Sequence, residues 1–125
     1  MTEEYYDPEK RFKEKYGDLI DPRCEISTMK GWDSIVDNAL YKIGIAVRSN
    51  IDEDDELTLS VVQIKEKFGG LRIYTDFTDD KIEKIINDAE EEASRTCEYC
   101  GSQEGATLFQ GAWLKTLCKE CNDKR

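Results

Sequence analysis

At 125 residues the chain has the length of a single domain, able to bury about two thirds of the surface its unfolded form would expose. Only 38% of residues are hydrophobic against 37% charged, which excludes a large core and calls for a second source of stability. The formal net charge of -10 argues against general affinity for the nucleic-acid backbone, because such binding is driven by Lys and Arg displacing counterions from phosphates.

No stretch of eighteen apolar residues occurs, and Met1 to Lys15 is studded with charge instead of carrying an apolar signal core. The expectation is a cytoplasmic protein with no membrane partner.

The first predicted element is a short helix over 9–16, bounded by Pro8 and ended by Gly17. From Asp33 the spacing of Ile35, Val36, Ala39, Leu40, Ile43 and Val47 predicts an amphipathic helix over 33–48, with Asp33 as its N-cap. The acidic run Asp52 to Glu56 reads as a solvated loop, since it lacks the spaced ligands of a calcium loop.

Two strands, Leu57 to Lys67 and Leu71 to Phe77, then form an antiparallel hairpin over 57–77 whose turn is Gly69-Gly70. With Phe68 facing Leu71, the register sets Lys67 across from Arg72 and Lys65 across from Tyr74 on an exposed side. Glu66 would face Ile73 and Ile64 would face Thr75 on the core side. The exposed side thus gathers a basic island, Lys65, Lys67 and Arg72, with one aromatic ring, between two acidic blocks.

A second helix is predicted over 79–94, capped by Thr78 and buried through Ile82, Ile85, Ile86, Ala89 and Ala93. Its outer acids, Glu83, Asp88, Glu90, Glu91 and Glu92, read as solvated helix surface; the alternative is a docking surface for a basic partner. The fold class expected is α+β, with these helices and the hairpin packed as a domain over 1–95 and a metal-binding ribbon over 96–125.

Cys97, Cys100, Cys118 and Cys121 form two Cys-x-x-Cys pairs separated by the seventeen residues from Gly101 to Leu117. Four thiolates at this spacing suit one tetrahedral zinc ion, each pair approaching the metal from a single turn. The competing readings are unmetallated core cysteines or a redox pair, but a redox Cys-x-x-Cys is expected at a helix start near a βαβ pattern. With no histidine in the chain, four cysteines complete the shell and leave no position for a substrate water, so the zinc is expected to be structural. Cys24 reads as a small buried hydrophobe, and Trp32 and Trp113 as core or interface anchors.

Taken in order, Gly31-Trp32, the string from Gln63 through Lys65-Glu66-Lys67-Phe68-Gly69-Gly70-Leu71-Arg72 to Tyr74, then Thr96-Cys97-Glu98-Tyr99-Cys100-Gly101 and Trp113 to Cys118 resemble a widespread family of small bacterial and phage proteins. The resemblance covers about residues 31 to 121. It implies the domain plan, a C-terminal zinc ribbon and a bacterial cell, with phage or prophage as a source, but no biochemical activity. Members often carry His at the last ligand position, where this chain has Cys121, and either residue binds zinc.

Three functions are weighed. The first is a protein-binding module, a regulator or inhibitor of a host enzyme or defence complex, whose acidic surface would compete for a basic one. The second is nucleic-acid binding through Lys65, Lys67, Arg72 and Tyr74, with the ribbon as a second contact. An enzyme is not expected: without histidine, no carboxylate pair is set beside a substrate loop, and no phosphate-binding glycine loop precedes a helix.

Overall fold

The computed structural model describes residues 7–49, 59–110 and 114–124. Its elements run α1 (Pro8–Tyr16), β1 (Ile20–Ser27), α2 (Asp33–Ser49), β2 (Val61–Lys67), β3 (Gly70–Thr75), α3 (Asp80–Ala93), β4 (Thr107–Phe109), β5 (Lys115–Leu117) and α4 (Lys119–Lys124). This is the α+β class the sequence predicts. The acidic run at 52–56, the expected strand start at Leu57 and Trp113 lie outside the described residues.

The α1 helix starts where local chemistry favours it: the Asp7 carboxylate accepts from the Lys10 amide at 3.1 Å and Pro8 occupies the first turn. In α2 the cap expectation is corrected. Asp33 already has helical dihedrals (φ -55°, ψ -46°), because a 3-10 turn over Lys30–Trp32 feeds directly into the helix. Its carboxylate instead pairs with Arg11 at 2.8 Å, tying α2 to α1. In α3 the cap is Asp79, whose carboxylate accepts from the Ile82 amide at 2.8 Å, and not Thr78.

The sheet has three strands in the order β1-β2-β3, where the sequence pattern predicts only the hairpin. β1 pairs parallel to β2 through Ile26 beside Ile64 and Ser27 beside Lys65, with α2 as the crossover that a parallel pair requires. Pro22 and the charges of β1 hide its period-two pattern of Ile20, Cys24 and Ile26, and an edge strand tolerates proline.

The hairpin register is also corrected. Lys67 pairs with Gly70, Lys65 with Arg72, Ile64 with Ile73 and Gln63 with Tyr74, so the turn is Phe68-Gly69 and not Gly69-Gly70. Both turn residues have positive φ, 54° at Phe68 and 80° at Gly69, the backbone of a tight two-residue hairpin. Phe68 is therefore 69% exposed at the tip instead of on the core side. The new register sets Ile64 against Ile73, a better apolar match than Ile64 against Thr75.

The main core lies between the sheet and the helices. Phe12, Trp32, Val36, Leu40, Ile43, Ile64 and Leu71 are fully buried there, with Cys24 among them. The outer strands are closed by helix carboxylates: Glu9 of α1 accepts from the Ile26 amide at 3.1 Å, and Glu90 of α3 from the Ile73 amide at 3.4 Å. An edge strand with free amides invites another chain to pair, and these two contacts blunt that tendency.

Candidate metal centre

Each Cys-x-x-Cys sits on a tight local structure. After the first, Gly101 takes φ 79° so that its amide turns back to the Cys97 carbonyl at 3.0 Å, and the Cys97 amide donates to the Ser102 carbonyl at 2.8 Å. The second opens α4, where the Cys121 amide lies 3.5 Å from the Cys118 sulfur. β5 leads into it, pairing antiparallel with β4 from Phe109 beside Lys115 to Thr107 beside Leu117.

These turns bring the Sγ atoms of Cys97, Cys100, Cys118 and Cys121 within 4.8 Å of one another. The Cys100 and Cys118 sulfurs are 3.7 Å apart. In a tetrahedron with metal–sulfur bonds of about 2.3 Å, ligand sulfurs lie about 3.8 Å apart, so this cluster fits a metal ion of that coordination.

The electrostatics favour a cation in the same place. Burial opposes ionisation of Cys97, but hydrogen bonds from the backbone at Cys100, Cys118 and Tyr99 prevail and bring its thiol down to about 7. Burial pushes Cys121 up to about 12, reinforced by the neighbouring thiols of Cys118, Cys97 and Cys100. At Cys100 the Ser102 amide favours the thiolate, yet burial and the thiols of Cys97 and Cys118 outweigh it and raise the pKa. Four thiolates cannot crowd into one site unaided, and a divalent ion removes the conflict.

The ribbon is docked on the rest of the fold through backbone contacts. The Gly31 amide donates to the Glu98 carbonyl at 2.9 Å, and the Trp32 indole N–H to the Thr96 carbonyl at 2.9 Å. Gly31 must be glycine here, because a Cβ would lie 2.3 Å from the Cys97 carbonyl oxygen and 2.4 Å from Glu98 backbone atoms. On the other side the Thr116 hydroxyl donates to the Gly69 carbonyl at 2.7 Å.

Glu98, inside the first Cys-x-x-Cys, is fully buried. Its carboxylate accepts from the Thr116 amide at 2.8 Å and lies 3.5 Å from the Lys115 ammonium, which also bonds Glu66 at 2.8 Å. Burial raises the Glu98 pKa, partly offset by the Thr116 amide and Lys115. Burial likewise works against the charge on Lys115, but Glu66 and Glu98 outweigh it and hold its pKa above the usual lysine value. The sequence pattern does not single out Glu98, although a carboxylate between two candidate ligand cysteines is an anomaly that asks for a cation.

The other predicted residues gather elsewhere. Gln63, Lys65 and Lys67 of β2 share one sheet face with Gly70, Arg72 and Tyr74 of β3, the register change having preserved which side each faces. The Lys65 ammonium stands 5.9 Å from the centre of the Tyr74 ring, and Lys67 stands 5.7 Å from that of Phe68. Among the described residues, Lys65, Lys67 and Arg72 have no carboxylate partner. β1 brings Arg23, Glu25 and Ser27 to the same face. Gly69 holds the turn as expected of a turn glycine, while Gly70 is the first residue of β3.

No family model matches the chain, and no curated protein or solved structure is found to match it. No described helix is long and apolar enough to cross a membrane.

Proposed function

We propose that the chain is a non-catalytic binding module, stapled by one structural zinc ion, that holds a short single-stranded nucleic acid on its open sheet face. The observation that carries this reading is a set of cations with no carboxylate partner among the described residues: Lys65 directly across from Arg72, with Lys67 and the 41%-exposed Tyr74 beside them. A cationic strip beside an aromatic ring offers phosphate contacts and a stacking surface to the same strand.

The zinc supplies fixed geometry and no reaction, since Cys97, Cys100, Cys118 and Cys121 fill a tetrahedral shell.

The alternative, a host or phage protein with a basic surface, rests on the acids of α3, and several of these are engaged. Asp88 pairs with Lys84 and Glu91 with Arg95, while Glu90 accepts from β3 and Glu92 from Gln103. Addition of a partner strand is opposed by Glu9 and Glu90 at the two sheet edges. Such a partner would be found on a different surface from the cationic strip.

Fluorescence anisotropy with a labelled ten-nucleotide single strand tests the reading. About three phosphates neutralised by Lys65, Lys67 and Arg72 give a log–log salt slope of about -2. Tyr74→Ala should weaken binding about tenfold or more if a base stacks there, and Lys65→Glu with Arg72→Glu should abolish it. No binding at low salt, together with a lysate partner that survives nuclease, would overturn this reading in favour of a protein ligand.

A further inference from the structure

The two motifs that stand apart in the sequence meet in space. Lys65-Glu66-Lys67-Phe68-Gly69-Gly70 forms the end of the main hairpin, and Cys97-Glu98-Tyr99-Cys100 forms half of the metal cluster. Glu98 is the joint between them. Its amide donates to the Thr116 carbonyl at 2.9 Å, its carbonyl accepts from Gly31, and its carboxylate accepts from the Thr116 amide. Lys115 then bridges Glu98 to Glu66, which lies between Lys65 and Lys67 on β2.

A second link runs beside it. The Thr116 hydroxyl bonds the carbonyl of Gly69, the turn residue whose missing Cβ leaves room for Leu108: a Cβ there would lie 2.4 Å from Leu108 Cδ1. The hairpin tip is thus seated on β4 and β5, the two strands that close over the cysteine cluster.

Among the described residues the ribbon has little apolar packing to hold that seat in place. Its buried apolar set there is Cys97, Leu117 and Cys118, two of which are candidate ligands, so the local fold depends on what the thiolates bind. A Glu98–Lys115–Glu66 arrangement in which Glu98 is buried and the other two half-buried adds little net stability compared with apolar packing, but it does fix geometry while the surrounding structure is held.

We propose that metal loading at the four cysteines positions the hairpin tip, with Glu98, Lys115 and Thr116 as positioning residues that transmit the state of the metal centre to the basic sheet face. This rests on the metal reading of the cluster and regulates the strand-binding face inferred above. Without the metal, the first Cys-x-x-Cys loosens, Glu98 gains water, and Lys115 and Thr116 no longer hold Glu66 and Gly69. Linkage is reciprocal: a ligand that selects the ordered tip must also slow metal loss.

The test is hydrogen exchange on the full chain, read by mass spectrometry, which needs no nucleic acid. Removing metal with a chelator should speed exchange at 64–73 by about tenfold or more, while α2 stays protected. If α2 loses protection as well, the metal-bound variants decide. Thr116→Val and Glu98→Gln, each confirmed by native mass spectrometry to keep one metal ion, should speed exchange at 64–73, and Thr116→Ser should restore it. Unchanged tip exchange in both metal-bound variants overturns the proposal. A coupled tip in a protein that binds no oligonucleotide leaves the coupling standing and removes only the strand-binding reading.

Discussion

The two halves of this molecule are held together by different physics. The main domain buries a continuous apolar cluster, from Phe12 and Leu19 through Trp32, Leu40 and Ile43 to Ile64, Leu71 and Ile82. Among the described residues the ribbon's apolar cluster is Cys97, Leu117 and Cys118, with Tyr99, Ala106, Phe109 and Cys121 packed against them only in part. One region is stable by removing hydrocarbon from water. Among the described residues the other has little hydrocarbon to remove, and on the metal reading proposed above it depends on coordination and on the hydrogen bonds that dock it to its neighbour. A chain with so modest an apolar fraction can still be compact when its two regions divide the work in this way.

The largest effect should come from attacking the ribbon's source of stability. Structural zinc in small fingers contributes on the order of 10 kcal/mol or more near neutral pH, comparable to the whole stability of a typical domain. Cys100→Ser should therefore lose the metal and melt the ribbon, while near-UV and amide signals of the main core persist. Native mass spectrometry reads the first outcome, with one zinc expected in the parent and none in the variant. A variant whose ribbon amides remain protected without metal would show that the two regions are held by the same forces after all. Acidification should act in the same direction, since protons compete with the metal for thiolates such as Cys97, whose thiol lies near 7.

The converse substitution strikes the main core. Leu40 is fully buried on α2, and Leu→Ala at such a site costs about 2–5 kcal/mol through lost transfer energy and the cavity left behind. Leu40→Ala should lower the urea midpoint of the parent without changing its metal stoichiometry under native conditions. Loss of zinc from a variant that is still folded would mean that Gly31 and Trp32 transmit main-core disturbance into the ribbon more strongly than their hydrogen bonds suggest.

The same division explains what could be read from the sequence. Ligand type and spacing are local properties, so Cys97, Cys100, Cys118 and Cys121 were legible, as were the helices over 9–16, 33–48 and 79–94 to within a residue or two. Register is not local. A glycine pair invites a Gly69-Gly70 turn, but the fold places Phe68 at φ 54° so that Gly69 can meet Leu108 and Thr116, contacts made some forty residues along the chain. β1 was hidden because Pro22 and its charged neighbours are acceptable on an edge strand whose pairing with β2 depends on the α2 crossover. Glu98 was hidden because its burial is created by Gly31, Lys115 and Thr116, none of them its sequence neighbour.

The smallest expected effect separates local signals of equal strength at the start of α3. Thr78 and Asp79 are both good N-cap residues, and composition alone does not choose between them. In the fold the Asp79 carboxylate accepts from the Ile82 amide with extended dihedrals (φ -136°, ψ 179°), while the Thr78 hydroxyl reaches only the Asp79 carbonyl at 3.3 Å. Asp79→Ala should therefore cost about 1 kcal/mol, and Thr78→Ala should cost much less. Chemical denaturation of the two variants measures the difference, and equal losses would mean that the cap is shared. Because only the turn at 94–96 separates α3 from Cys97, metal affinity supplies the second readout. If weakening one end of α3 leaves metal affinity unchanged, the helix belongs energetically to the apolar region and only its far end touches the metal-dependent one.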